Sequence, residues 1–426
     1  MSSTGEKLGY RELVSIGIGG MVGGGIFAVL GLAVQLAHGG TPIAFTIAGI
    51  VALLTTYSYV KLTVAFPGQG GTVTFLDRAF GSGSITGSLN VLLWLSYIIM
   101  LSLYAYAFGS YGAALLPGSW ESIGRHVLIS ASILGITALN LGNAALIGRA
   151  EDWIVAIKIG ILLLFVIVGT WGIQTSRIAP SEWSGPIQLF AGGFIIFLAY
   201  EGFELIANAA DDAEDPQRTI PRAYYTAVIF VICLYVAVSI VAVGNLSIEQ
   251  IVNERDFALA AAARPFLGEA GFTLIAVAAV LSTASAINAT LYGAARLSYS
   301  IAVDGELPGV LEKKIWNQPI LGLLITSATT LVIANIFNLS SISTMGSSGF
   351  LLIFAAANLA NARLARKTGS RAWLSFAGAG ACVLALLALI GQTASEAPTR
   401  LIVLVGMIAL AASIEITFRI TRRSES

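Results

Sequence analysis

The placement of charge constrains this chain more than any motif. Twelve apolar segments, at about 12–37, 42–66, 84–116, 126–141, 151–172, 186–210, 222–245, 265–300, 320–338, 341–363, 372–392 and 398–420, follow one another with most charged residues left between them. Roughly 20 apolar residues cross a bilayer as a helix. The bilayer interior admits only helices or closed barrels, because each backbone N–H and C=O must be paired within the chain. Barrel strands would alternate over about ten-residue segments, whereas these runs are continuous. The expected fold class is an all-α membrane protein with twelve transmembrane helices. Only 11% of the 426 residues are charged, against about 25% in soluble domains. That argues against a soluble enzyme and against disorder.

Lysines and arginines choose an orientation. With the N-terminus inside, 17 fall on the cytoplasmic side, 5 fall outside, and Lys158 lies within the fifth segment. This follows the positive-inside bias, and one miscounted span would scramble it. Trp120, Trp171 and Trp183 fall near outer ends and Trp153, Trp316 and Trp373 near inner ends; Trp94 is the exception. Residues 1–11 lack a signal-peptide pattern and read as a cytoplasmic lead, with 421–426 as a cytoplasmic tail. Between them, 12–172 and 186–363 hold five segments each, and 372–420 holds two more. Lysine plus arginine and aspartate plus glutamate both number 23, which excludes a nucleic-acid-binding polycation. Cys233 and Cys382 sit in apolar runs, and His38 and His126 are far apart. Neither a disulfide scaffold nor a metal site is expected, and no cofactor is called for.

Two segments are interrupted. Six of the nine residues from Gly17 to Gly25 are glycine, each costing about 1 kcal/mol of helix propensity against alanine. Glycines on one face would serve close helix packing. Gly23, Gly24 and Gly25 are consecutive and surround the helix, so unwinding is the better reading. Gly23–Ala28 formally fits a dinucleotide-binding pattern but lacks the strand that the pattern requires. In the sixth segment, Ala191-Gly192-Gly193 is followed by Phe197–Glu204, where Glu201 and Glu204 flank Gly202 near mid-membrane. A charge at that depth costs at least ~2.5–3.5 kcal/mol and calls for a partner, a proton or a wet cavity. Capping of loose backbone groups is the plainer alternative for both acids.

The first and sixth segments are five apart. Two five-span repeats have odd span number and must be inverted, which would place both breaks at the midplane, as in transporter sites. A half-helix N-terminus offers free N–H groups to a carboxylate, and a half-helix C-terminus offers carbonyls to an ammonium. Such a pair can hold both ends of a zwitterionic amino acid. Lys158 lies about two turns from the inner end of its segment. It either snorkels to the surface or stays buried, where a lysine can load and release a proton or replace a bound cation. Ser282 and Ser285, one turn apart, are candidate partners, with Thr283, Asn288 and Thr290 nearby; bonding back to their own helix is the alternative.

Gly23-Gly24-Gly25-Ile26-Phe27 resembles the first-span motif of the amino acid–polyamine–organocation permeases. Ala199-Tyr200-Glu201-Gly202-Phe203-Glu204 resembles their sixth span, and Asp212–Ala223, an acidic loop then P-x-R-x-I-P-x-A, their following loop. Lys158, Tyr292-Gly293-Ala294-Ala295 and Asp304-Gly305-Glu306-Leu307-Pro308 are similar to a proton-coupled, broad-specificity branch. The resemblance covers nearly the whole chain. It implies a 5+5 inverted-repeat core with two added helices. It implies that Gly24 and Gly25 amides, beside Gly23, hold the substrate carboxylate, and that carbonyls of Met21, Leu198, Ala199 and Glu201 hold the amino group. Lys158 would stand near Gly19 or Gly20 and Ser282 or Ser285, where sodium-coupled relatives bind the ion. Phe197 and Tyr200 would form an outer lid, and Glu204 and Asn288 would gate or carry a second proton. Two departures stand out: Gly24 replaces a serine or threonine of many relatives, and the branch most resembled lacks acids at the positions of Glu201 and Glu204.

The expectation is a secondary transporter of the plasma membrane that imports L-amino acids with protons by alternating access. Its partners would be the amino acid, protons and the lipid bilayer. Two alternatives stay open: an exchanger favouring cationic amino acids or polyamines, suggested by Glu201 and Glu204, and a transporter-like amino acid sensor. Ser, His and Asp groups are not placed for a catalytic triad, so no enzyme is expected.

Overall fold

A computed structural model describes residues 7–68, 70–142, 145–313 and 319–425. The expectations for residues 1–6, Trp316 and the last residue of the tail lie outside the described residues. The helices are α1 (Tyr10–Met21), α2 (Gly25–Ala37), α3 (Thr41–Ala65), α4 (Gly71–Phe80), α5 (Ser84–Ala113), α6 (Glu121–Gly142), α7 (Ala145–Gly169), α8 (Pro186–Ile195), α9 (Leu205–Asn208), α10 (Pro216–Asn245), α11 (Ile248–Asn253), α12 (Ala258–Val303), α13 (Ile320–Ile336), α14 (Leu339–Arg363), α15 (Ala365–Thr368), α16 (Ala372–Glu396) and α17 (Pro398–Glu425). Two isolated bridges, Leu8 with Ala213 and His38 with Trp183, are the β-type pairings among the described residues.

Ten helical stretches are long and apolar enough to span a membrane, and α1 with α2, bent by 44° at their break, makes an eleventh. The remaining expected span, α13, has 17 residues, about 26 Å of helix against a hydrocarbon core of about 30 Å. The short fourth segment proves to be the 22-residue α6, extended by polar residues at its start that hydropathy discounts. The eighth segment starts earlier than expected. Alanine-rich Ala258–Ala263 is already helical, and the chain stays helical on both sides of Gly268, whose φ of 63° marks a kink between two helices inside α12. Glycine takes that left-handed conformation without the Cβ clash other residues suffer. The connection at 67–83 contains a short helix, α4, with Val73, Phe75, Leu76 and Ala79 buried.

Helix α5 runs through the centre, packed by α6, α12, α13, α14 and α17. Trp94, the exception to the interfacial pattern, is a core residue of α5, and its indole donates to Thr326 of α13 at 3.1 Å. Buried polar side chains tie other helices across the apolar interior, where exposed partners are lacking: Asn361 of α14 donates to Ser375 of α16 at 2.8 Å. Against α2, the turn Arg255–Phe257 packs closely on Gly31, where a Cβ would stand 2.6 Å from Arg255 Cα. Asp256 fixes that turn by accepting from Tyr106 at 3.1 Å and pairing with Arg125 at 3.4 Å. On the α1 side, Leu8 N–H donates to Asp212 O at 2.7 Å, and Tyr10 Oη to Thr226 at 3.0 Å.

Candidate site at the meeting of two broken spans

Both interruptions expected from glycine content are present, in different forms. Val22–Gly24 separates α1 from α2 as a turn. In the sixth span, the residues between α8 and α9 are wound more tightly rather than opened: Phe197–Glu204 is an eight-residue 3₁₀ helix. Such a stretch inside a longer helix marks a strained or hinge-like element. The two breaks touch backbone to backbone. A Cβ on Gly202 would overlap the main chain of Gly20 and Met21, and one on Gly25 would stand 2.7 Å from Ala199 Cα. Small residues are required here by contact across the break. The first amides of α2 have no intrahelical acceptor.

Tyr235 of α10 organises the junction. Its hydroxyl donates to Met21 O at 2.7 Å, stands 3.4 Å from Ala199 O, and meets the Ile26 N–H. One phenol therefore joins the end of α1, the start of α2 and the 3₁₀ segment. Two of the carbonyls expected to hold an amino group, those of Met21 and Ala199, converge on one point. Leu198 N–H donates to Ser347 of α14 at 3.3 Å, and Ser343 and Ser347 cap Ile195 O at 2.6 and 2.9 Å. Sequence reasoning missed Tyr235 and Ser347, because nothing in their own apolar helices distinguishes them.

Lys158 does not snorkel. It is 2% exposed, and Nζ donates to Gly19 O at 3.0 Å in the last turn of α1. Of its two expected serine partners, Ser282 donates to the Val22 carbonyl at 2.9 Å and also contacts the Gly23 carbonyl, and Ser285 is half-buried. Thr283 bonds back to Ala279 O at 2.7 Å. Gly20 packs against Gly202. Asn288 accepts from Asn140 of α6 at 2.8 Å, a tie between helices. Phe197 is fully buried against Phe354, ring centres 5.8 Å apart, and Tyr200 donates to Phe45 O at 3.0 Å. The space a side chain on Gly24 would take is filled by the Tyr104 ring, with Cε1 3.0 Å from that Cβ position. That accounts for glycine where serine or threonine was expected.

The two acids have different surroundings. Glu204 accepts from Tyr97 at 2.6 Å, from Tyr59 at 3.2 Å and from Thr72 at 3.2 Å, three donors from α5, α3 and α4. Glu201 is 4% exposed, and its Oε2 has no hydrogen-bond partner among the described residues.

The chain matches the amino acid permease family over residues 8–414. It is 38% identical to an uncharacterised protein of Methanocaldococcus jannaschii, over 86% of this chain and 84% of that one. It is 33% identical to the inner membrane transport protein YbaT of Escherichia coli, over 95% of this chain and 94% of that one. Among solved structures, the manganese transporter of Eremococcus coleocola superposes with a TM-score of 0.63 at 13% identity, covering 98% of this chain and 96% of that one; this likeness concerns the fold. A bundle of apolar helices with two spans broken against each other, matched along almost its full length, places this chain in the amino acid permease family, as a multi-pass membrane transporter and not an enzyme.

Proposed function

We propose that the protein imports L-amino acids with protons across the plasma membrane, with both termini cytoplasmic and α13 as the twelfth span. The substrate carboxylate binds the amide end of α2 at Gly24 and Gly25, with Gly23 completing the turn. The ammonium binds among the carbonyls of Met21, Leu198, Ala199 and Glu201. Helix ends of opposite polarity suit the two ends of a zwitterion. Phe197 and Tyr200 close the pocket from the outer side.

The observation that carries the coupling is Lys158 buried on Gly19 O. A protonated lysine at that point ties α7 to the end of α1 as a bound cation would. Loss of the proton releases α1, which favours inward opening and substrate release. Radiolabelled alanine uptake into proteoliposomes, sodium absent and the inside alkaline, tests this. Uptake should collapse with a protonophore, and Lys158→Ala should abolish gradient-driven accumulation. Full proton-driven uptake by Lys158→Ala would overturn the coupling role. Uptake that ignores the gradient but requires internal amino acid would make the protein an exchanger.

A further inference from the structure

We propose that Glu201 is a specificity-determining residue whose carboxylate receives the side-chain cation of a positively charged amino acid. The proposal rests on the amino acid site described above and names its substrate class. Glu201 is buried within the 3₁₀ segment, and Oε2 lacks a hydrogen-bond partner. A buried carboxylate oxygen in that condition calls for a donor that the described residues do not supply. Glu204, three residues on, shows how this chain satisfies an acid it keeps for structure: three hydroxyls enclose it. Glu204 is also the acidic neighbour of Glu201, and both of its oxygens are already engaged by hydroxyls.

The position suits a substrate group. Glu201 lies between Ala199, which touches Gly25 at the start of α2, and Gly202, which touches Gly20 and Met21 at the end of α1. The segment that carries this carboxylate therefore borders both helix ends at the break. A neutral amino acid spends its carboxylate on α2 and its α-ammonium on the carbonyls around Met21 and Ala199. That leaves Glu201 unmatched. A second cation at the end of an aliphatic stem matches it, and a charge-assisted bond in a water-poor site gives the discrimination.

The test compares lysine with norleucine, which has the same four-carbon stem without the charge, as competitors of labelled alanine and labelled lysine uptake by the reconstituted full chain. Lysine should compete at least ~10-fold more effectively in the wild type. Glu201→Gln should lower the lysine-to-norleucine ratio at least ~10-fold, and Glu201→Asp should retain part of it. Equal or better competition by norleucine in the wild type would overturn the proposal without needing a variant. So would a ratio unchanged by Glu201→Gln, which would mark the acid as structural or as a proton carrier. If the wild type takes up alanine but does not distinguish lysine, this inference alone fails. If it takes up neither, the amino acid site fails with it.

Discussion

Glu201 and Glu204 sit three residues apart in one glycine-interrupted segment, and sequence treats them alike. Their hydrogen bonds separate them. Tyr97, Tyr59 and Thr72 surround Glu204 from three helices and tie the sixth span to them. The Tyr97 bond, 2.6 Å long, is the strong one of the three. Hydrogen bonds to charged groups contribute about 1.5–3 kcal/mol each, so Tyr97→Phe should lower the melting temperature in detergent. Adding Glu204→Gln to that variant should cost less than Glu204→Gln costs alone, because the pair is already broken. Strict additivity would show that the two residues do not act together. Lys158 makes the same point. Snorkelling and burial were both open from its position, and its contact with the end of α1 decides between them.

At the scale of elements, each interruption has a partner element that explains its glycine. Gly202 and Gly25 allow the two broken spans to touch through their backbones. Gly31 does the same for the turn Arg255–Phe257, which seats on α2 and is held by Asp256. On the proposed orientation this turn lies on the outer side. Gly31→Val would leave no room for the Arg255 backbone and should unseat the turn. Amide hydrogen exchange over residues 254–258 should then speed up, and uptake should fall while expression persists. Unchanged exchange there would show that the turn is not seated by this contact. The 3₁₀ winding of Phe197–Glu204 belongs to the same scale. Glycine content warned of a break, but whether the chain opens or tightens depends on what packs against it, here α1, α3 and α14.

Across the whole molecule, the helices that build the site also converge at the far end of the bundle. Glu306, in the loop after α12, is 3% exposed and accepts from Asn90 of α5 at 2.8 Å. Burial, followed by the nearby acids Asp77, Glu415 and Asp304, pushes its carboxyl up to about 7. A raised acid favours the protonated form in the fold, so its contribution is complete below the ordinary carboxylate range and is lost as pH rises through about 7. The wild type should melt higher at pH 5 than at pH 8, and Glu306→Gln should flatten that dependence; an unaltered pH profile in the variant would assign it elsewhere. The sequence by itself determined the all-helical membrane class, the two interruptions and the transporter class. Hydropathy and glycine content act locally, and a bilayer imposes helix on any apolar run of sufficient length. Only the tertiary structure decided which polar groups meet at the breaks. Tyr235, Ser347 and the hydroxyls around Glu204 come from helices distant in sequence, and inside a membrane a buried polar group is defined by the partner that reaches it in space.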